Sequence, residues 1–482
     1  MASWTPEHLA PSTLPNTKVP WKTIKEEQQY REEFAEAHLR VLLGQLIPFL
    51  EKLKRIPDPR RPGSVEHKLA VLMVYGTLLF ILQMASRREG NRELGRPGLL
   101  EALRAVFPEL EINVAPHMDT VNRLLEGIEP DQLEEALRER IRSLLWHHKL
   151  QGFLVRNHYV IAIDGTQKLS RDWCWAQEAQ HWQRGGEVHY TAYVLEAVLV
   201  CPQGITLPIS AEFCANEPAA DETAEQASAR KQDCEQKAFY RLASRLKKSF
   251  PHLKILVVAD GLYPNGPIMA YCRRCNWDFM FVLPADSLPS VWQEANGLHR
   301  LTPEQTLHTT WGDRQQVFWW VNDIEYCYGP NERLRLRLHV VVCDERWTTC
   351  DREGNETEHH ARFAWVSGTP LSARNVEERC NRAARHRWDI EEHILACKHH
   401  GYQATHAFSL NWNAMRGWHY LMLLARLCNT LACYSTGLWD LVCVRGFRGS
   451  LLFLRETYLN PWLSAERLQA LGYRPRQLRL MI

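Results

Sequence analysis

The sequence predicts an α/β protein: a mixed sheet flanked by helices, preceded by an all-helical region and interrupted late by a β-rich insertion. Three observations predict it. Apolar side chains recur every three or four positions through the first 150 residues, the period of helices. Near Tyr159 the period changes to the unbroken apolar runs of buried strands, and strands then alternate with helices. Between about residues 286 and 368 the pattern is strand alone.

Taken in order, "QYREEFAEAHLRVLLGQLIPFLEKL" is an amphipathic helix. "LAVLMVYGTLLFILQMA", Leu69 to Ala85, is the longest apolar run. It is barely long enough to cross a bilayer and is broken by Gln83, so a buried helix is expected rather than a membrane span. "PHMDTVNRLLEGI" starts a short helix near Asp119 and ends it at Gly127. Pro130 then opens a helix with Leu133, Leu137, Ile141 and Leu144 on one stripe. Two short helices joined by a tight turn could be a helix-turn-helix, but plain bundle packing is the commoner use of that pattern.

"HYVIAIDGT" reads as a buried strand ending in a turn. "YTAYVLEAVLVCPQGITLPISAEFC" reads as a hairpin about Pro202-Gln203-Gly204. After a polar stretch come the helix "EQKAFYRLASRLKKSF", the strand of "LKILVVADGLYP", the helix "NGPIMAYCRRC" and the strand "DFMFVLPA". The insertion contains "QQVFWWVNDIEYCYG", "RLRLRLHVVVCDE" and "HARFAWVSGT", and helices resume from Val376 to about Trp439. The expected organisation is a helical region for DNA binding or dimerisation over 1–150 and the sheet domain in two parts, 151–285 and 369–439. The insertion lies between those parts at 286–368, and an arginine-rich tail follows over 440–482.

Composition bounds the function classes. With 482 residues, 45% hydrophobic and 24% charged, the chain can build a large core without disulfide staples. A net charge of +2 argues against indiscriminate coating of nucleic acid but allows local basic faces. The 14 cysteines are scattered, and the one tight pair, Cys272-Arg-Arg-Cys275, lacks the second pair of a zinc site. Reduced thiols in a cytoplasmic protein are expected, and no secretory signal pattern opens the chain.

The chemistry rests on three acids. Asp164 and Asp260 each stand at the carboxyl end of a strand, where ligand sites of open α/β sheets form. Two facing carboxylates repel unless a cation lies between them, and oxygen-only ligands suit Mg²⁺ or Mn²⁺. Two such ions about 4 Å apart can activate water and stabilise the leaving oxygen of a phosphodiester. A third acid comes from "RWDIEEHILACK". At about 100° per residue, Arg387, Glu391 and Lys398 share one helical face and Glu392 is turned away. That face offers one acid for metal and two cations for phosphate.

"IDGT", "VVADGLYPN" and "RWDIEEHILACK" together resemble the three acidic motifs of insertion-sequence DDE transposases. More narrowly, they resemble the branch with a β-rich insertion before the glutamate, whose signature is Tyr, two residues, Arg, three residues, Glu, six residues, Lys. Arg387, Glu391 and Lys398 fit it. The tyrosine position is Ala384, a departure that puts the tyrosine's backbone-contacting role in doubt. The resemblance covers roughly residues 155–435 and implies an RNase H-like catalytic fold with two Mg²⁺ or Mn²⁺ ions. Asp164 would bridge the ions, with Asp260 and Glu391 each holding one side. Arg387 and Lys398 would grip phosphates of double-stranded DNA, both element ends and target. A homodimer acting in the nucleoid of a prokaryotic cytoplasm is implied, with water nicking an end and the freed 3′-hydroxyl attacking a second phosphodiester. Trp311, Trp319 and Trp320 are candidates to stack a flipped base, against core packing as the ordinary fate of any one of them.

Other signals are weaker. His181, His189, His399 and His400 lack zinc-ligand spacing, and Glu212 and Glu217 could lie near the metal site without a specific reason to do so. A haloacid dehalogenase phosphatase would need a nucleophile where Ala162 stands. Two rivals remain: a nuclease of the same fold that cuts without joining, and a catalytically silent DNA-binding relative.

Overall fold

The structure is a computed structural model describing residues 21–216, 232–351, 354–460, 468 and 478–481. Among the described residues six α-helices come first: α1 (Ile24–Leu53), α2 (Leu69–Ile81), α3 (Arg87–Glu93), α4 (Pro97–Val106), α5 (Met118–Gly127) and α6 (Pro130–Trp146). Local chemistry sets their ends. The Thr23 side chain accepts from the Glu26 N–H, Ser86 does the same for Glu89, and Pro130 opens α6. Every residue of α2 is buried, as its all-round apolar sequence requires. Among the described residues no helix is long and apolar enough to cross a membrane.

What buries α2 comes from the far end of the chain. α12 (Trp412–Cys433) runs through the helical region and packs on α1, α2, α5 and α6. At Gly76 a Cβ would come within 2.9 Å of Leu421, so a glycine there lets α2 and α12 approach closely. Trp418 Nε1 donates to Asn122 Oδ1 at 3.0 Å, tying α12 to α5. α5 and α6 are thus members of a bundle. α13 (Trp439–Leu459) lies along α1, where Tyr458 Oη donates to the Ala35 carbonyl at 3.0 Å. One hydrophobic core runs from α1 through the sheet to α13.

The sheet has eleven strands, β1 (Leu154–Val155), β2 (His158–Arg171), β3 (Gln180–Arg184), β4 (Glu187–Val200), β5 (Thr206–Cys214), β6 (Ile255–Ala259), β7 (Asp278–Val282), β8 (Thr306–Trp311), β9 (Arg314–Tyr328), β10 (Leu334–Cys350) and β11 (Glu356–Ser367). Their order is β3-β4-β2-β6-β7-β11-β10-β9-β8, with β5 also on β4 and β1 on β2. β2, β6 and β7 are parallel neighbours and every other pairing is antiparallel. α7 (Glu235–Ser249) precedes β6, and α8 (Gly266–Arg274) links β6 to β7. The predicted fold class holds, a mixed sheet flanked by helices with a helical region before it.

The insertion is continuous with the central sheet: Trp365, Val366 and Ser367 of β11 pair with Val282, Phe281 and Met280 of β7, so it widens that sheet. It also opens with a helix, α9 (Pro289–Leu301), packed on β9. On the opposite face of the sheet a second core gathers Val160, Ala162, Leu256 and Val258 beneath Ile390 and Ile394. Those two isoleucines belong to α11 (Trp388–His399), which follows the short α10 (Val376–Asn381) and a 3₁₀ turn at Ala384–Arg387.

Candidate active site

Register brings the two aspartates level. β2 and β6 pair in parallel from Tyr159↔Ile255 to Ala162↔Val258, and the same offset carries Asp164 opposite Asp260. Alternation then fixes the face. Val160 and Ala162, and Leu256 and Val258, point into the second core, so Asp164 and Asp260 leave the sheet on the side of α11. β2 does not end at Asp164, as the sequence suggested. It continues to Arg171 against β4 while β6 stops at Ala259, and the gap beside β2 exposes the pair.

Each aspartate has little to neutralise it. Asp164 Oδ1 accepts from the Gly165 N–H at 2.8 Å, and Asp260 Oδ1 accepts from the Leu262 N–H at 2.9 Å. Burial raises the Asp164 pKa to about 7, with Asp260 and Glu235 adding repulsion, while the Gly165 N–H and Arg387 pull the other way.

Arg387, whose charge acts on Asp164, is the partner of the third acid. It ends the 3₁₀ turn, 4% exposed, and its Nη1 donates to Glu391 Oε1 at 2.7 Å; the Glu391 side chain is 40% exposed. The guanidinium also lies 3.9 Å from the centre of the Trp388 ring. Ile390 and Ile394 pack α11 onto the sheet, while Glu391 beside them stays partly exposed. Arg387 is thus a buried partner of Glu391 rather than an open phosphate grip. Lys398 lies two turns further along α11 and is half-buried.

Sequence reasoning missed a fourth carboxylate, Glu235 at the first position of α7. It accepts from Tyr193 Oη at 3.0 Å and Tyr263 Oη at 2.5 Å. Burial pushes its pKa up, against those two hydrogen bonds, and Asp260 pushes it further. A Cβ at position 165 would fall 2.5 Å from the Tyr193 ring and 2.6 Å from Glu235 Oε2, so the glycine of "IDGT" makes room for this pair. An acid in the first turn of a helix is also the ordinary complement to the helix dipole, so it carries no distinctive signal in sequence.

The remaining candidates divide. Trp319 and Trp320 are each 6% exposed; Trp319 stacks on His299 at 4.2 Å, and Trp320 lies in the second core. Both are core residues, placed there by β9 packing on α9 and on the second core. Trp311 is half-buried, and the Arg385 guanidinium lies 4.8 Å from its ring centre. Glu212 pairs with Arg241 and Arg245, away from the aspartates, and Glu217 lies outside the described residues. His189 stacks on Trp182 at 4.6 Å.

The donors suit a hard divalent cation in kind: carboxylate oxygens, two of them level and repelling. They do not form a finished cage. Among the described residues no three His, Cys, Asp or Glu side chains converge as they stand, and Glu391 is engaged by Arg387.

Residues 50–140 match the model of the family described as DDE_Tnp_1-associated. The match runs from the last turn of α1 into α6 and touches none of the sheet. It points to a DDE-type transposase family. No curated protein matches the chain.

Proposed function

We propose that the protein is a DNA transposase with an RNase H-like catalytic sheet that cleaves at element ends and joins them to target DNA. The observation that carries this reading is the level placement of Asp164 and Asp260 at the open end of two parallel strands, with Arg387, whose charge acts on Asp164, ion-paired to Glu391. Support also comes from the strand plan, a three-stranded antiparallel unit followed by two parallel strands, and from the family match in the helical region.

Asp164, Asp260 and Glu391 would hold two Mg²⁺ or Mn²⁺ ions. When bound, such ions supply the Lewis acidity that activates the attacking oxygen and stabilises the leaving one. The chain's own part is placement. Glu391 would turn from Arg387 toward the aspartates, and the buried guanidinium would stay behind the acids to balance part of their charge. Lys398 meets the backbone further along the same strand of DNA. Water first attacks phosphorus at the element end and the P–O3′ bond breaks. The released 3′-hydroxyl then forms a new P–O bond in target DNA and displaces a second 3′-oxygen. Two copies of the chain act on paired ends.

Incubating the protein with paired end duplexes, target DNA and Mg²⁺ tests this. Joined products are expected. Cutting without joining would replace the reading with a nuclease, and binding alone with a silent DNA-binding protein.

A further inference from the structure

α11 is held over the sheet by two kinds of contact. Ile390 and Ile394 fix how deeply it sits, but an apolar surface fixes poorly how far a helix slides. The other contact is polar and fully buried. Glu196 on β4 lies directly across the ladder from Asp164, so both carboxylates leave the same face of the sheet. Its oxygens are 3.4 Å from His393 Nε2 on α11 and 3.5 Å from His419 Nε2 on α12. His393 Nδ1 also lies 3.3 Å from Thr206 Oγ1 on β5. Lys168, buried on β2, donates to the Ala404 carbonyl just beyond α11 at 2.9 Å.

Stability alone does not explain this cluster. Its contacts with Glu196 are long for hydrogen bonds, and Glu196 Oε2 and both His419 ring nitrogens have no hydrogen-bond partner. Well-packed apolar residues often match or exceed the stability of such buried ionic groups, whose best-attested use is to fix register. The register at stake here is that of the helix carrying Glu391, two residues before His393.

We propose that the Glu196–His393 contact, backed by His419 and Lys168, sets the position of α11 along the sheet and so delivers Glu391 to the Asp164–Asp260 pair. These are positioning residues, and the proposal rests on the reading of Glu391 as the third acid. A one-residue slip of a helix is a shift of about 1.5 Å, and about 1 Å of misplacement can cost a hundredfold in rate.

The test is His393→Leu, with His393→Gln as the conservative variant. Four quantities are read: melting temperature, DNA affinity, single-turnover cleavage at saturating Mg²⁺, and amide hydrogen exchange over residues 388–399 in metal-free protein. His393→Leu takes one partner from the buried Glu196 and should melt below wild type, yet stay folded at the assay temperature and bind DNA equally well. It should cleave about a hundredfold more slowly and exchange faster along α11, with His393→Gln intermediate. Wild-type cleavage or unchanged exchange in His393→Leu would overturn the proposal, as would cleavage losses that merely track melting temperature across both variants. If His393→Leu does not fold, His393→Gln decides by the same two readouts. If wild-type protein fails to cleave at all, the reading of the site falls, and hydrogen exchange still judges the clamp.

Discussion

Two groups of carboxylates lie against the same sheet, and what faces them differs. Beside β5, Glu134 is met by Arg138 at 2.7 Å and Arg245 at 3.1 Å, and it accepts from Ser210 and the Ala211 N–H. Glu212 adds pairs with Arg241 and Arg245, and Asp233 pairs with Arg241 at 2.6 Å. The same completeness holds for Asp278 with Arg379, and for Glu345 with Arg314 and Arg385. At the open end of β2 and β6 the arrangement is the reverse. Asp164, Asp260 and Glu235 repel one another, and the one arginine acting on Asp164 is held by Glu391. A chain that supplies arginines to Glu134, Glu212, Asp233, Asp278 and Glu345 and withholds them here leaves charge for something else to neutralise. That contrast separates acids that hold the fold from acids that await a ligand.

Substitution should split the two groups most sharply. Asp164→Asn, Asp260→Ala or Glu391→Gln is expected to reduce cleavage to background in a paired-end assay while leaving DNA binding intact. Asp164→Asn should not lower the melting temperature, because it removes repulsion. Glu134→Ala should do the opposite. It strands Arg138 and Arg245 in the interior and should cost about 3–5 kcal/mol in chemical denaturation, while cleavage per folded molecule is kept. A loss of stability in the aspartate variants comparable to that of Glu134→Ala would erase the distinction.

Metal and pH sharpen it further. The folded-state pKa of Asp164, near 7, lies above its ordinary 3.8, so folding favours the protonated acid. That contribution is complete below about pH 4 and is lost as the pH rises through 7. In metal-free buffer, wild-type stability should therefore decline across this window relative to Asp164→Asn. Mg²⁺ or Mn²⁺ at a hundred times its dissociation constant should add about 2.7 kcal/mol at pH 7.5. Asp164→Asn should gain much less. Equal metal stabilisation of both proteins, followed by calorimetry, would place the cation elsewhere.

How much of this is legible in the sequence follows from the range of each interaction. β2, β4, β5, β6 and β7 are readable because buried strands are apolar runs, and the meeting of Asp164 with Asp260 follows from their places in two such runs. β3, "QHWQR", is a polar ribbon strand with no such signature. The joining of the insertion to β7 depends on Trp365 meeting Val282, a contact that no local pattern encodes. The same is true of α12 threading the N-terminal helices. Glu235 is hidden because its environment comes from Tyr193 and Tyr263 on other elements. Helical spacing links Arg387 to Glu391 correctly, but it cannot tell a buried partner from an exposed phosphate grip.

The smallest effect concerns Lys398, which the contrast places outside both groups. It is half-buried near the end of α11, two turns from Glu391, and a cation there can touch one phosphate without contributing to the acid cluster. Lys398→Ala should therefore weaken DNA binding by a similar factor for all sequences and lower the slope of log affinity against log salt by about 1. Cleavage at saturating DNA should stay close to wild type, because the carboxylates are untouched. A salt titration of both proteins on one end duplex measures the slope. An unchanged slope would take Lys398 off the DNA path, and lost cleavage at saturation would draw it into the site with Arg387.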